Sequence, residues 1–447
     1  MAQETSPTST IKVIPLVQGI RAGAEQTVDF LIKIQGPDRP LSQKSRPPLN
    51  LALVLDRSGS MAGHPLHEAK RCARTFVSQL HAEDHVCLIA YDNRVQTLFE
   101  SQPVGNRGAL YEAIDAIRPG GSTNLHKGWA TGVQALKGNP IKASISRVLL
   151  LSDGQANQGM TETGPVSHEC ARAVVDGVST STYGLSHHFN EDLMTAMANH
   201  GQGQAYYGET AEDLMEPFQQ EFDLLSSIYA RKVRLKASSA TDCKIEILNA
   251  YLGADEKILP DLAYEAEVWA LVRVKVPSSR SGEGKNELVH LGDLALSAND
   301  LEGNPLSFPL LRLELPSVTS EEYLGLMQNE EVRRRVLEVE AAKLQEQARR
   351  AAQMGRWEEV DQMLNEVQRL AEDNPWLDAV VRTLKEMARA KDEVRFSKES
   401  RYSAHRMSTR YSGRDESAHW DEDLSENRTF TRRKSAQGKN SDGNSNP

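Results

Sequence analysis

Two segments of the chain, residues 51–55 (LALVL) and 148–151 (VLLL), are unbroken apolar runs. A strand with one face in water alternates apolar and polar side chains. A continuous run is stable only where both faces are covered, as in the middle of a parallel sheet flanked by helices. Around these runs the pattern alternates. Helical spacing at 66–80 is followed by a strand at 86–91 (VCLIAY), helices at 107–117 and 125–136, and a helix at 168–175 after the second run. A strand at 179–183, a helix at 191–199, a short strand at 205–207 and a long helix at 211–229 complete the series. This succession predicts an α/β fold, a doubly wound parallel sheet with helices on both faces.

The flanks read differently. Residues 10–16 (TIKVIPL) and 27–34 (TVDFLIKI) alternate, and 21–23 between them fits a turn, so they are expected to pair antiparallel. A Pro-rich stretch at 42–48 leads into the α/β block. After Ala230 only strands follow, at 232–237, 244–249, 264–276, 288–296 and 306–315, which suggests an all-β sandwich. Two strands alone do not make a stable sheet. The N-terminal pair is therefore assigned to the sandwich, with the α/β domain inserted into it. Residues 320–391 are helical, opened by the capping-box pattern Thr319-Ser320-Glu321-Glu322 and divided by Gly355 and Pro375. Ala348, Gly355, Trp357, Leu364 and Pro375 are similar to one tetratricopeptide repeat, but Val360 and Val367 stand where small residues are usual. A single repeat forms no solenoid, so a helical hairpin is the expectation. From Gly413 the composition turns to Ser, Asn, Arg and Asp, which does not offset its ordering entropy and reads as a disordered tail. Within it Arg432-Arg433-Lys434-Ser435 fits a basic phosphorylation motif at Ser435, although such clusters are more often only solvated. The expected organisation is 1–46 for the first sandwich strands, 47–230 for the α/β domain, 231–318 for the rest of the sandwich, 319–412 for the helical hairpin region and 413–447 for the tail.

A chain of 447 residues exceeds the roughly 250–300 residues of a single core, in keeping with several domains. With 52 basic against 62 acidic residues the net charge is -10, which argues against capture of nucleic acid or anionic lipid. The first nine residues are polar, and no run approaches the roughly 18 apolar residues of a membrane helix, so no membrane insertion and a cytoplasmic location are expected. Cys72, Cys87, Cys170 and Cys243 are scattered singly and are expected to be reduced thiols.

The chemistry concentrates in three short segments. Asp56-Arg57-Ser58-Gly59-Ser60-Met61 follows the first buried strand, at the carboxyl edge where open α/β sheets bind ligands. Asp, Ser and Ser at alternate positions of a turn can aim three oxygens at one point, which suits a hard cation such as Mg²⁺. Gly120-Gly121-Ser122-Thr123-Asn124 is a glycine turn before a helix, and Ser152-Asp153-Gly154 ends the second apolar run. One such segment alone is more often a turn or an N-cap. Three in this order on these strands favour a common metal site.

That set resembles the metal-ion-dependent adhesion site of von Willebrand factor A (VWA) domains, with Asp56, Ser58, Ser60, Thr123 and Asp153 at its five positions. The resemblance spans roughly residues 47–230 and is closest to bacterial members in the strings LVLDRSGSM, GGSTNL and LLLSDGQANQG. It implies a bound Mg²⁺ (or Mn²⁺ or Ca²⁺) contacted directly by Ser58, Ser60 and, once a ligand is bound, Thr123, with Asp56 and Asp153 acting largely through water. It implies a protein partner that offers an Asp or Glu to the metal, in some relatives within multi-protein assemblies beside an ATPase. A binding module rather than an enzyme is expected. There is no Gly-x-x-x-x-Gly-Lys-[Ser/Thr] loop, residue 58 is not the second aspartate of phosphoaspartate phosphatases, and Ser58 lies outside a Gly-x-Ser-x-Gly elbow. The alternatives are a metal-independent assembly scaffold and, behind it, a Mg²⁺-dependent hydrolase. The pairs His64/His67 and His187/His188 read as surface residues, Trp357 and Trp376 as helical core, and the charged run 330–335 as a solvated helix face.

Overall fold

The structure, a computed structural model, describes residues 9–40, 46–105, 107–142, 144–153, 155–185, 190–208, 211–283, 286–371, 374–409 and 412–413. They form two units, residues 41–228 with 301–303, and the rest of the chain. The chain opens with β1 (Thr10–Pro15), β2 (Ile20–Arg21) and β3 (Gln26–Gln35). As their alternation predicts, β1 and β3 pair antiparallel, Thr10 opposite Gln35 and Pro15 opposite Phe30.

The α/β unit contains β4 (Leu49–Asp56), α1 (His64–Gln79), β5 (His85–Tyr91), β6 (Val95–Pro103), α2 (Arg107–Ala116) and α3 (Leu125–Gly138). It continues with β7 (Ile145–Ser152), α4 (Thr163–Val175), β8 (Val178–Leu185), α5 (Glu191–His200), β9 (Gln202–Gly208) and α6 (Ala211–Ser227). The sheet order is β6-β5-β4-β7-β8-β9, all parallel except the edge strand β6. Every residue of β4 is buried, and its apolar run divides by parity. Leu49, Leu51, Leu53 and Leu55 pack with Phe76, Leu110 and Phe218 on one face, while Ala52 and Val54 pack with Trp129, Val166 and Leu193 on the other. The apolar run thus follows from helices on both sides. Strand β6 escapes the sequence reading because it is an edge strand with no buried residue.

A buried ion pair lies within this unit. Arg147, on β7, donates from Nη1 to Glu221 Oε1 on α6 at 2.6 Å, with both side chains at most 1% exposed. Ser181 Oγ and Tyr206 Oη donate to the same carboxylate at 2.7 and 2.9 Å, and Arg147 Nε donates to Ser179 Oγ at 2.9 Å. The pair ties α6 to the sheet, and its cost is met only while both partners are present.

The second unit holds β10 (Ile228–Ser239), β11 (Lys244–Ile247), β12 (Glu256–Ile258), β13 (Leu262–Ala263), β14 (Ala266–Val276), β15 (Leu288–Asn299), β16 (Pro305–Leu306) and β17 (Leu311–Val318). One sheet runs β1-β3-β14-β11 and the other β12-β10-β15-β17-β2. β3 pairs with β14 from Gln26 opposite Val276 to Gln35 opposite Glu267, so the N-terminal strands do join the later ones. Phe30, Ile32 and Val272 from the first sheet meet Leu235, Leu291 and Leu313 from the second. One expectation is corrected here. The single strand read at 306–315 is two strands, with Pro309, which has no N–H to give a ladder, in the break. The expected turn is present at residues 22–23, and just before it Ile20–Arg21 form a short strand parallel to β17.

Five helices follow: α7 (Ser320–Leu324), α8 (Glu330–Gln353), α9 (Trp357–Leu370), α10 (Pro375–Arg389) and α11 (Glu393–Thr409). Thr319 and Glu322 form the expected capping box on α7. The expected hairpin is instead a four-helix bundle, because α11 returns to pack along α8. Its buried face is Phe396, Ala404 and Met407 interleaved with Ser397, Ser400 and Ser403, hydroxyl residues that read as polar in the sequence. Trp357, half-buried, meets the buried Phe396 edge-on at 6.0 Å and packs against the helical core. The run 330–335 is a solvated face only in part: Glu330, Arg333 and Arg334 are exposed, but Arg335 is buried. Val332 and Val339 pack with Leu31, Trp269 and Leu271 of the sandwich, Lys33 bonds Glu331 at 2.6 Å, and the Arg335 guanidinium lies 4.6 Å over the Trp269 ring. Gly413, in β18 (Ser412–Gly413), pairs with Ala266. The side chain of Trp376, His187, His188 and the tail from residue 414, with Ser435, lie outside the described residues. No helix among the described residues is long and apolar enough to cross a membrane.

Replacing Glu221 by Gln is expected to leave the Arg147 charge buried without a counter-ion and to cost about 3–5 kcal/mol, read as a lower urea midpoint of the α/β unit.

Candidate metal centre

Strand pairing builds the site. β4 ends at Asp56 between its parallel neighbours, with Tyr91 of β5 opposite Asp56 and Leu151 of β7 opposite Leu55. Asp56 is fully buried. Its Oδ1 accepts the Ser58 N–H at 2.8 Å, while Oδ2 accepts Ser152 Oγ–H at 2.6 Å and Tyr91 Oη–H at 3.3 Å. Burial pushes its pKa up from 3.8 to about 6, against the pull of the Ser152 bond and with the nearby Asp153 charge adding to the rise. Ser58 is buried and Ser60 exposed, their Oγ atoms 3.2 Å apart.

Hydrogen bonds join the three motif segments, the first two through their backbones. Gly59 N–H donates to Gly121 C=O and Gly120 N–H to Arg57 C=O, each at 2.7 Å. Thr123, 1% exposed, donates its N–H to Asn157 Oδ1 at 2.8 Å, and its C=O accepts the N–H groups of Asn157 and Gln158 at 3.1 Å. Asp153, 2% exposed, accepts the Gln155 N–H at 3.2 Å. So the Asp56–Ser60 loop is joined to the Thr123 turn, that turn to the loop after Asp153, and Asp56 to Ser152 beside Asp153.

A capping role does not account for these side chains. The turn at Gly59–Met61 and α1 have no side-chain cap bond, and α3 is capped by Asn124, which accepts the Lys127 N–H, rather than by Thr123. Asp56 does close a two-residue turn onto Ser58, which accounts for one of its oxygens. The donor set suits a hard cation. It is all oxygen, and it includes two buried acids that make no ion pair among the described residues. Burying negative charge without a counter-charge is costly, and a divalent ion beside Ser58, Ser60 and Thr123 would supply that charge.

Sequence reasoning gave no role to Tyr91, Ser152, Asn157 or Asp92. Ser152 and Asn157 stood inside the quoted LLLSDGQANQG string, and Tyr91 ended a recognised strand. The signal was there in position, but their roles depend on register, which the strings do not carry. His64 and His67 are exposed on α1, as expected of surface residues, with His64 Nε2 3.9 Å from Glu68.

Residues 50–221 match the model of the von Willebrand factor type A domain, and the chain carries such a domain. The uncharacterized protein sll0103 of Synechocystis sp. is 32% identical over 236 residues, which cover 52% of this chain and 54% of that protein. The match thus spans about half the length of this bacterial relative. A von Willebrand factor type A structure from Catenulispora acidiphila superposes with a TM-score of 0.68 at 14% identity, covering 87% of this chain and 91% of that one. The ArnB paralog VWA2 from Sulfolobus acidocaldarius gives 0.58 at 17% identity, covering 89% and 99%. At such identities the two structures speak for the fold alone: a VWA-like α/β domain with additional sheets and C-terminal helices.

The raised pKa of Asp56 has a defined sign. The folded protein holds this proton more tightly than the unfolded chain, so in EDTA the stability it contributes is present at low pH and falls as pH rises from 3.8 to about 6. At pH 7 in EDTA, Asp56→Asn is therefore expected to melt above the wild type, with the difference vanishing near pH 4, as followed by thermal unfolding across pH.

Proposed function

We propose that the VWA domain of this chain is a metal-dependent protein-interaction module that engages an acidic residue of a partner. The observation that carries this is the pair of buried carboxylates, Asp56 and Asp153, which make no ion pair among the described residues and are set among hydroxyls at the carboxyl edge of the sheet. Ser58, Ser60 and Thr123 would hold the cation through their hydroxyls, with Asp56 and Asp153 balancing its charge, directly or through water. A bound Mg²⁺ supplies an incompletely neutralised charge with a coordination position left for a carboxylate of the partner. Mg²⁺ is favoured over Ca²⁺ because Ca²⁺ takes 6–8 oxygens, often from bidentate carboxylates, and this set is small and hydroxyl-rich.

The same geometry favours binding over turnover. Asp56 already accepts bonds from Ser58, Tyr91 and Ser152, and the Ser58 Oγ is also bonded to Ser60 Oγ. The backbone lacing holds the loops for docking, so specificity falls to the surrounding loop surface. A reducing, cytoplasmic setting is part of the reading. It is supported by four cysteines that are each buried and form no disulfide among the described residues.

Mg²⁺ at 100 times its Kd is expected to stabilise the wild type by about 2.7 kcal/mol and to leave Asp56→Ala unmoved, as read by thermal unfolding. Affinity retention from native cell lysate compares wild type in Mg²⁺, wild type in EDTA and folded Asp56→Ala in Mg²⁺. A protein held only by the first supports the module and names the partner. The same proteins held by all three would leave a metal-independent scaffold.

A further inference from the structure

Asp92 belongs to none of the three motif segments, yet it touches two of them. It follows β5 directly and is 4% exposed. Its Oδ1 accepts the Arg94 N–H at 2.6 Å. Its Oδ2 accepts the Gly121 N–H at 3.3 Å and forms an ion pair with Arg57 Nη2 at 3.3 Å. Its backbone C=O accepts the Asn124 N–H at 3.0 Å. One residue thus holds the turn carrying Thr123 from both sides, at Gly121 before it and at Asn124 after it. It also reaches Arg57, which stands between Asp56 and Ser58. The glycine at 120 belongs to the same arrangement: a Cβ there would lie 1.7 Å from Asp92 Oδ2.

We infer that Asp92 is a positioning residue of the metal centre, a clamp that sets the Thr123 hydroxyl relative to those of Ser58 and Ser60. The inference rests on the metal reading proposed above. Ser58 and Ser60 share one loop and Thr123 lies on another, so their common geometry depends on what joins the loops. Two backbone bonds do so, and the Asp92 carboxylate braces both loops from a third strand end. Its charge is matched by Arg57, so the clamp leaves the site's own negative charge to the cation. Substitutions that disturb such supporting residues typically weaken metal binding about 10- to 100-fold.

The test is calorimetric Mg²⁺ titration of the full chain as wild type, Asp56→Ala, Asp92→Asn and Gly120→Ala, each paired with its Tm in EDTA. Gly120→Ala displaces the carboxylate while keeping its charge, so it separates position from electrostatics and serves if Asp92→Asn does not fold. The expected result is a fall in Mg²⁺ affinity of about 10- to 100-fold for Asp92→Asn and Gly120→Ala, larger as a free energy than the loss of EDTA-state stability that accompanies it. Wild-type affinity in both would overturn the clamp while leaving the metal reading intact. A loss of affinity matched by an equal loss of EDTA-state stability in both would overturn it as well, by showing a general structural role. Wild type that takes up no Mg²⁺, like Asp56→Ala, would overturn the metal reading and the clamp with it.

Discussion

The carboxylate of Asp56 sits at the end of a strand whose every side chain is buried, and the arrangement around it answers the cost of putting charge there. Ser58, Tyr91 and Ser152 each donate to it, yet burial still dominates its proton affinity. Neutral donors spread the charge without cancelling it. A second acid, Asp153, adds to the imbalance from the neighbouring strand end. Two buried acids thus stand together at the carboxyl edge of the sheet, and the proposed cation would offset their charge. The helices on both faces matter because without them β4 would be neither fully buried nor fixed in register.

How much of this the sequence discloses depends on the kind of signal. The runs at 51–55 and 148–151 announce strands covered on both faces, and the five motif residues follow at their ends, so the α/β fold and the candidate site were legible together. Features fixed by pairing or docking were not. Asp92 is an ordinary residue after an ordinary strand, and only its bonds to Gly121, Asn124 and Arg57 give it weight. Strand β6 lacks buried residues to mark it. Helix α11 hides because its seam is serine, and the run 330–335 hides because Arg335 covers Trp269 with a charged side chain instead of meeting water. In these last two a polar residue does the work of an apolar one, and composition does not report it.

The C-terminal helices and the sandwich are joined in a different manner from the α/β core. Leu31, Trp269 and Leu271 meet Val332 and Val339, and the contact is framed by Lys33 with Glu331 and by Arg273 with Asp29 and Glu340. An apolar centre with a charged rim fixes one docking of α8 on the sheet. Bonds from Arg273 to two acids hold its guanidinium firmly cationic, pushing its pKa further up. Charged partners penalise alternative registers more than they add to stability.

The pairing of β3 with β14 has a consequence for the birth of the chain. β3 leaves the ribosome more than two hundred residues before the strand that covers its flank. At synthesis rates of about 5–20 residues per second, that interval is roughly 10–50 s. During it, Phe30, Leu31, Ile32 and Ile34 have no β14 to pair with, while the whole VWA domain is made. The domain is thus complete before the sandwich that brackets it can close, and the early hairpin is a waiting edge that nascent-chain chaperones would have reason to shelter.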